Sequence, residues 1–289
     1  MKKIALIGPG AIGGTVATRL AQMTDHWVVV CARSDVSQFT LEAPEGKWTV
    51  TPKMHVSPLQ LQPVDWILVA TKAYATQATA KWFPNLLGAQ TRLAVLQNGV
   101  EHVARFAPYF PEARILPVIV DMPVERDAPG FFRQRRAGWF TVPQNSHGEE
   151  LADIFRRTGI EIRLAPDFQT EAWRKLAINC AGAVSALLLK PAGIVNQAEI
   201  AELMRNLVRE CVAVGRAEGA ALEDSLVESV IERYRNGPPD AINSLHADRL
   251  AKRPMEIDAR NGVIVRLGRK YGIPTPFNHT VVTLLEAIY

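Results

Sequence analysis

The chain has 289 residues, 48% hydrophobic and 21% charged, a composition that excludes a disordered or fibrous protein and gives enough length for two domains of ordinary size. Lysine and arginine total 33 against 29 acidic residues, a net charge of +4 spread along the chain; this suits an anionic ligand without calling for nucleic acid. Cys31, Cys180 and Cys211 are far apart in apolar surroundings, which excludes a C-x-x-C zinc or redox motif and argues for a reducing compartment, read here as the cytoplasm.

Met1-Lys2-Lys3 and the apolar residues after them resemble the start of a signal peptide, but a glycine cluster breaks the run and a strand explains it better. Ile4 to Ile7 predicts a buried strand and Ala11 to Met23 a helix, and between them Gly8-Pro9-Gly10-Ala11-Ile12-Gly13 has the spacing G-x-G-x-x-G. In that setting the first glycine makes the tight bend and the second lets a pyrophosphate approach the backbone. The third packs helix against strand, and the helix N-terminus offers free N–H groups and positive dipole to phosphates. Pro9 removes one amide, but it precedes the helix. Trp27 to Ala32 predicts a second strand, apolar throughout and so buried on both faces. Beyond it stands Arg33, where many dinucleotide folds carry an acidic residue for the ribose hydroxyls. A guanidinium there suits a 2′-phosphate and favours NADP, while the nearby Asp35 keeps NAD in play.

Leu41 to Leu61 reads as small strands and loops. Trp66 to Ala70 is the next buried strand, ending in Thr71-Lys72, with a helix over Tyr74 to Leu86; Leu93 to Leu96 follows, ending in Gln97-Asn98-Gly99. Strand, loop and helix repeat, which implies a parallel sheet with right-handed crossovers. Ligands of such sheets sit beyond the carboxyl ends of the strands, the position shared by Gly8, Arg33, Lys72 and Asn98. From Arg114 to Pro143 two extended segments flank Asp127-Ala128-Pro129-Gly130 and predict a hairpin, with Arg133, Arg135 and Arg136 on a solvated face. A helix over Gly148 to Thr158 and a strand over Glu161 to Leu164 complete a first domain, residues 1–166.

After Pro166 the strand-like runs stop. Helices are predicted over Phe168 to Leu189, Gln197 to Gly219, Leu222 to Arg235, Ser244 to Lys252, Glu256 to Tyr271 and Phe277 to Ile288, making residues 167–289 a second, all-α domain. The longest nearly apolar run, Ala177 to Leu189, contains Asn179 and is too short to span a bilayer. These apolar helices suit a homodimer as well as a monomer with a thick core. No histidine cluster suggests a metal site.

Within the first of these helices Lys175 and Asn179 are four residues apart and share one face. Set into an apolar segment they need partners, because burying them unpaired is costly. A ligand rich in oxygen atoms would serve; so would snorkelling of Lys175 to water and a bond from Asn179 to a neighbouring helix.

Gly8-Pro-Gly-Ala-Ile-Gly13, Thr71-Lys72-Ala73, Gln97-Asn98-Gly99, Trp173-Arg-Lys-Leu-Ala-Ile-Asn-Cys180 and the stretch from Ser244 to Asn261 together resemble the ketopantoate reductases (2-dehydropantoate 2-reductases) over nearly the whole chain. The resemblance implies a Rossmann-like NADP-binding domain, a helical substrate-binding domain and a substrate in the cleft between them. It implies NADPH-dependent reduction of a 2-oxo acid, ketopantoate, to a 2-hydroxy acid in pantothenate biosynthesis. It further implies that Lys175 is the general acid on the reacting oxygen, that Glu256 binds substrate and supports catalysis, and that Asn98, Asn179 and Ser244 contact substrate. Arg33 and Lys72 would serve the cofactor beside the glycine turn. On the residues alone, Glu256 could simply favour a helix dipole and Ser244 could be an N-cap. One departure stands out: where the family usually has a second asparagine, one turn after Asn179, this chain has Ala183. The loss of an amide points toward another, more apolar 2-oxo acid as an alternative substrate. A catalytically silent NADP(H)-binding regulator is the reading from a different class; it would keep the glycines but have little need for Lys175, Asn179 and Glu256 together.

Overall fold

The computed structural model describes residues 1–288, so Tyr289, the last residue of the predicted second domain, lies outside the described residues. The chain divides into two compact units, one of residues 1–97 and 101–168 and the other of residues 98–100 and 169–289.

The strands of the first unit are β1 (Lys2–Ile7), β2 (His26–Cys31), β3 (Phe39–Ala43), β4 (Gly46–Val50), β5 (Lys53–His55), β6 (Trp66–Val69), β7 (Arg92–Val95), β8 (Ile115–Pro117), β9 (Ile119–Asp121), β10 (Val124–Ala128), β11 (Phe131–Gln134), β12 (Trp139–Pro143) and β13 (Glu161–Ala165). Its helices are α1 (Ala11–Ala21), α2 (Thr76–Ala80), α3 (Phe83–Leu86), α4 (His102–Phe106) and α5 (Ser146–Phe155). Six strands form a sheet in the order β5-β2-β1-β6-β7-β8, with every pairing parallel. The chain leaves β1 for β2 on one side and later pairs β6 on the other, so the strand order reverses at the carboxyl end of β1, where such sheets hold ligands. Both faces are covered. Ile4, Leu6, Trp66 and Leu68 pack with Val16 and Leu20 of α1, while Ala5, Ile7, Ile67 and Val69 pack with Phe83 and Phe106. That is why these strands are continuous apolar runs.

Three features differ from the sequence reading. The single helix expected over Tyr74 to Leu86 is a 3₁₀ turn followed by α2 and α3. Pro84 lacks an amide hydrogen and is accommodated in the first turn of α3 rather than inside a longer helix. Around the expected hairpin, β10 and β11 pair across Gly130, but β11 also runs parallel to β3, giving a four-stranded sheet β10-β11-β3-β4. β8 joins the main sheet, and β9 and β12 form a third sheet with β13. The hairpin arginines are neutralised locally: Arg133 by Asp127 at 2.9 Å, Arg135 by Glu125 at 2.9 Å and Arg136 by Asp121 at 2.7 Å.

The second unit contains α6 (Phe168–Ala181), α7 (Ala183–Leu188), α8 (Ala198–Ala217), α9 (Leu226–Arg235), α10 (Ser244–Leu250), α11 (Val263–Tyr271) and α12 (Pro276–Glu286) around a core that includes Trp173, Leu176, Cys180, Leu207, Cys211 and Val263. The helix expected over Phe168 to Leu189 breaks at Gly182, where a Cβ would lie 2.4 Å from the Tyr234 hydroxyl and 2.9 Å from Asn243 Nδ2. The helix expected from Glu256 begins instead as a π-helical turn, Asp258–Gly262, that runs into α11. All three cysteines are buried and free, and burial pushes the Cys31 thiol up to about 12. No helix among the described residues is long and apolar enough to cross a membrane.

Candidate functional site

The glycine turn of the first unit has the stereochemistry that a dinucleotide phosphate requires. Gly8 follows β1 with φ +93°, a conformation that L side chains rarely adopt, and a Cβ there would lie 2.6 Å from Thr71 Cγ2. Its amide donates to the Cys31 carbonyl at 3.0 Å, joining the ends of β1 and β2. Gly10 is the N-cap of α1, and a Cβ on it would meet nothing within 4 Å, so the backbone there is open to an approaching group. At Gly13 a Cβ would fall 2.2 Å from the Gly8 carbonyl and 3.0 Å from Ala70 Cβ, so this glycine lets α1 lie against the sheet. The amides of Ala11, Ile12 and Gly13 form the first turn of α1, where no intrahelical acceptor exists. Three open amides, a close backbone and a helix N-terminus fit a pyrophosphate.

Gly14, which the sequence reading did not single out, has the same kind of constraint. A Cβ there would lie 1.9 Å from the Phe132 ring, so the β11 strand fixes it for packing alone.

Arg33 is exposed two residues past β2, and Lys72 is half-buried three residues past β6. The Lys72 corner is braced by Gln97, whose Nε2 donates to the Thr71 hydroxyl at 3.1 Å and to the Lys72 carbonyl at 3.3 Å. Burial holds His102 below its ordinary value, and the neutral ring donates from Nε2 to the Gln97 carbonyl at 2.7 Å. Gln97 and His102 are therefore supports that the sequence reading missed; a buried amide after a strand has no periodic signature.

Asn98 belongs, with Gly99 and Val100, to the second unit. Its Nδ2 donates to Glu256 Oε2 at 3.0 Å, and Glu256 is only 4% exposed. Gly99 holds φ +113° and lies so close to the π-helical turn that a Cβ would come within 2.9 Å of the Ala259 carbonyl. Two candidate residues 158 positions apart thus meet directly. Lys175 and Asn179 lie one turn apart on α6, both half-buried. Ser244 is the exposed first residue of α10, whose N-cap is its neighbour Asn243, with a side-chain oxygen accepting from the amides of Leu245 and His246. α10 is tied to α7 by the buried His246, which donates from Nδ1 to the Ser185 hydroxyl at 2.9 Å while that hydroxyl donates to the Lys190 carbonyl at 2.6 Å. Ala183 is fully buried at the start of α7.

Two family models together match most of the chain. The family model described as "Ketopantoate reductase PanE/ApbA" matches residues 4–147, and that described as "Ketopantoate reductase PanE/ApbA C terminal" matches residues 167–289. A 2-dehydropantoate 2-reductase of Caulobacter vibrioides is 56% identical over 287 residues, covering 99% of each chain. The chain belongs to the ketopantoate reductase family. Membership makes it an oxidoreductase in a family of dinucleotide-dependent enzymes. A Mycobacterium tuberculosis 2-dehydropantoate 2-reductase is 38% identical over 98% of this chain and 97% of its own. The crystal structure of a PanE/ApbA family ketopantoate reductase from Ralstonia eutropha JMP134 is similar with a TM-score of 0.91 at 31% identity, covering 99% of this chain and 98% of that one. A D-mandelate dehydrogenase with NADH and anilino(oxo)acetate shares the fold with a TM-score of 0.89 at 20% identity, covering 99% of this chain and 97% of that one.

Proposed function

We propose that the chain reduces 2-dehydropantoate to pantoate with NADPH, in the cytoplasm and as a step of pantothenate biosynthesis. Residues 1–166 would bind the dinucleotide and residues 167–289 the substrate. The observation that carries this reading is the buried Glu256 carboxylate, held by Asn98 at 3.0 Å in the unit that also presents Lys175 and Asn179 on one helical face. A silent dinucleotide binder has little need for Lys175, Asn179 and Glu256 together.

Gly8, Pro9, Gly10, Ala11, Ile12 and Gly13 would hold the pyrophosphate, with Lys72 and Asn98 beside it and Arg33 on the 2′-phosphate. The nicotinamide supplies hydride to the carbonyl carbon. Charge then develops on the carbonyl oxygen. Lys175, as an ammonium, stabilises that charge and delivers the proton that makes the hydroxyl. Asn98 and Asn179 donate amide hydrogen bonds to substrate oxygens, and Ser244 adds a hydroxyl. Glu256 accepts from Asn98 and from the substrate's hydroxyl, so that both are oriented by one fixed carboxylate. The same chain in two copies would form a homodimer.

Ala183 favours a second reading in which the preferred acid is more apolar than ketopantoate. Both are tested by following NADPH oxidation with ketopantoate and a panel of 2-oxo acids, beside NADH controls. The proposal expects ketopantoate to give the highest kcat/KM. A faster, more apolar acid would move the assignment to that substrate, and cofactor binding without turnover on any acid would support the silent regulator.

A further inference from the structure

The carboxyl end of α6 is held by side chains from three other segments. A helix leaves its last carbonyls without intrahelical donors, and here side chains reach four carbonyls at that end, one of which, that of Ile178, also accepts from the Gly182 amide at 3.3 Å. The Tyr234 hydroxyl of α9 donates to the Ile178 carbonyl at 2.9 Å. Arg260 Nη2 donates to the Asn179 carbonyl at 2.6 Å, Asn261 Nδ2 to the Cys180 carbonyl at 3.1 Å and Asn243 Nδ2 to the Gly182 carbonyl at 2.8 Å. Three of the four donors come from segments that carry a residue of the proposed site. Asn243 is adjacent to Ser244, and Arg260 and Asn261 lie in the π-helical turn that follows Glu256. The carbonyls of Ile178, Asn179 and Cys180 belong to the helix of Lys175 and Asn179, and Gly182 directly follows its last residue.

Arg260 is the centre of this arrangement. It is 2% exposed, Tyr234, Glu256 and Asp248 act on its charge, and its Nε has no hydrogen-bond partner among the described residues. Burying an arginine is expensive, and a methionine or leucine would fill much of the space without that cost. A guanidinium has one property they lack: it can fix a carbonyl and face a carboxylate at the same time. Helix carbonyl ends also carry partial negative charge, which a cation offsets.

We propose that Arg260, with Tyr234, Asn243 and Asn261, is a clamp of positioning residues that sets Lys175 and Asn179 against Glu256 and Ser244. The clamp fixes the rotation and height of α6 relative to the segments carrying the other two groups. Gly182 is part of the device, since any side chain there would collide with Tyr234 and Asn243. This role rests on the ketopantoate reductase reading above.

The test compares wild type, Arg260→Met, Arg260→Lys and Tyr234→Phe for steady-state kinetics with ketopantoate, NADPH binding by fluorescence and thermal melting. Arg260→Met is expected to lose about 100-fold in kcat/KM, chiefly in kcat, with NADPH affinity unchanged, as for a catalytic group displaced by about 1 Å. Arg260→Lys restores much of that loss, because it returns a buried cation and donor. Tyr234→Phe removes one hydroxyl and serves if Arg260→Met does not fold; a loss of roughly 5-fold in kcat/KM is expected. Melting temperatures that fall while kcat/KM of the folded variants stays at the wild-type value would overturn the clamp and leave these residues as packing alone. A wild type that fails to reduce ketopantoate would instead overturn the reading on which the clamp rests, and the proposed role with it.

Discussion

The glycine turn of the first unit and the substrate site proposed for the second are built by opposite means. At Gly8 to Gly13 the structure resides in the backbone: missing side chains at Gly8 and Gly13 let a helix end approach a strand end, Gly10 leaves the backbone open, and six consecutive residues do all of it. In the second unit the proposed groups come from positions 98, 175, 179, 244 and 256, and side chains hold the segments that carry them, through the Asn98–Glu256 bond and the donors on the carbonyls at the end of α6 and of Gly182 just beyond it. A local backbone device tolerates change everywhere except at its glycines. A device assembled from distant segments depends on each of its supports.

That contrast orders the expected effects. Lys175→Ala should be the most damaging to turnover, by roughly 100- to 10,000-fold in kcat, with NADPH still bound; this is read from kinetics beside a cofactor titration. Turnover near the wild-type level would remove Lys175 as general acid. In the other unit, Gly13→Ala forces a methyl against the Gly8 carbonyl and should cost about 1–3 kcal/mol of stability along with NADPH affinity. Gly10→Ala has open space and should stay within about 1 kcal/mol of wild type in a denaturant melt, yet still weaken NADPH. Equal destabilisation by the two alanines would contradict the separate roles given to these glycines.

Arg33→Asp should weaken NADPH by roughly 10- to 100-fold, the loss of a charge-assisted contact to the 2′-phosphate, and leave NADH little changed. Parallel losses for both cofactors would remove Arg33 from that contact. A smaller effect is expected for Asn98→Ala, which removes the amide donor to Glu256 Oε2: roughly a 10-fold rise in KM for ketopantoate, measured at saturating NADPH.

The same contrast explains what the amino-acid order discloses. The β1–glycine–α1 unit is legible because its signal is contiguous: an apolar run, three glycines at fixed spacing, then a helical period. The parallel sheet and the helical second half follow from the same local periodicities. The breaks at Pro84 and Gly182 were not read, the first because a proline in a helix's opening turn leaves the surrounding period intact. Gly182 owes its need to Tyr234 and Asn243, residues more than fifty positions away. The small sheets around β3 and β12 escape for a related reason: β11 pairs with β3, and β12 with β9 and β13, across long intervals of sequence. For the second unit, helical spacing put Lys175 and Asn179 on one face and left their purpose open. The strand-end position singled out Asn98 and the family resemblance Glu256, and the fold brings these two into contact. Tyr234 and Arg260 carry no local mark of any role, because their function is defined by the carbonyls they reach.

The central claim, that this chain transfers hydride from NADPH to the carbonyl of ketopantoate, is tested most directly with NADPH deuterated at the transferring position of the nicotinamide. Mass and proton spectra of the product should place the deuterium on the carbon that bears the new hydroxyl of pantoate. Unlabelled pantoate, or no pantoate from enzyme that binds NADPH, would contradict it.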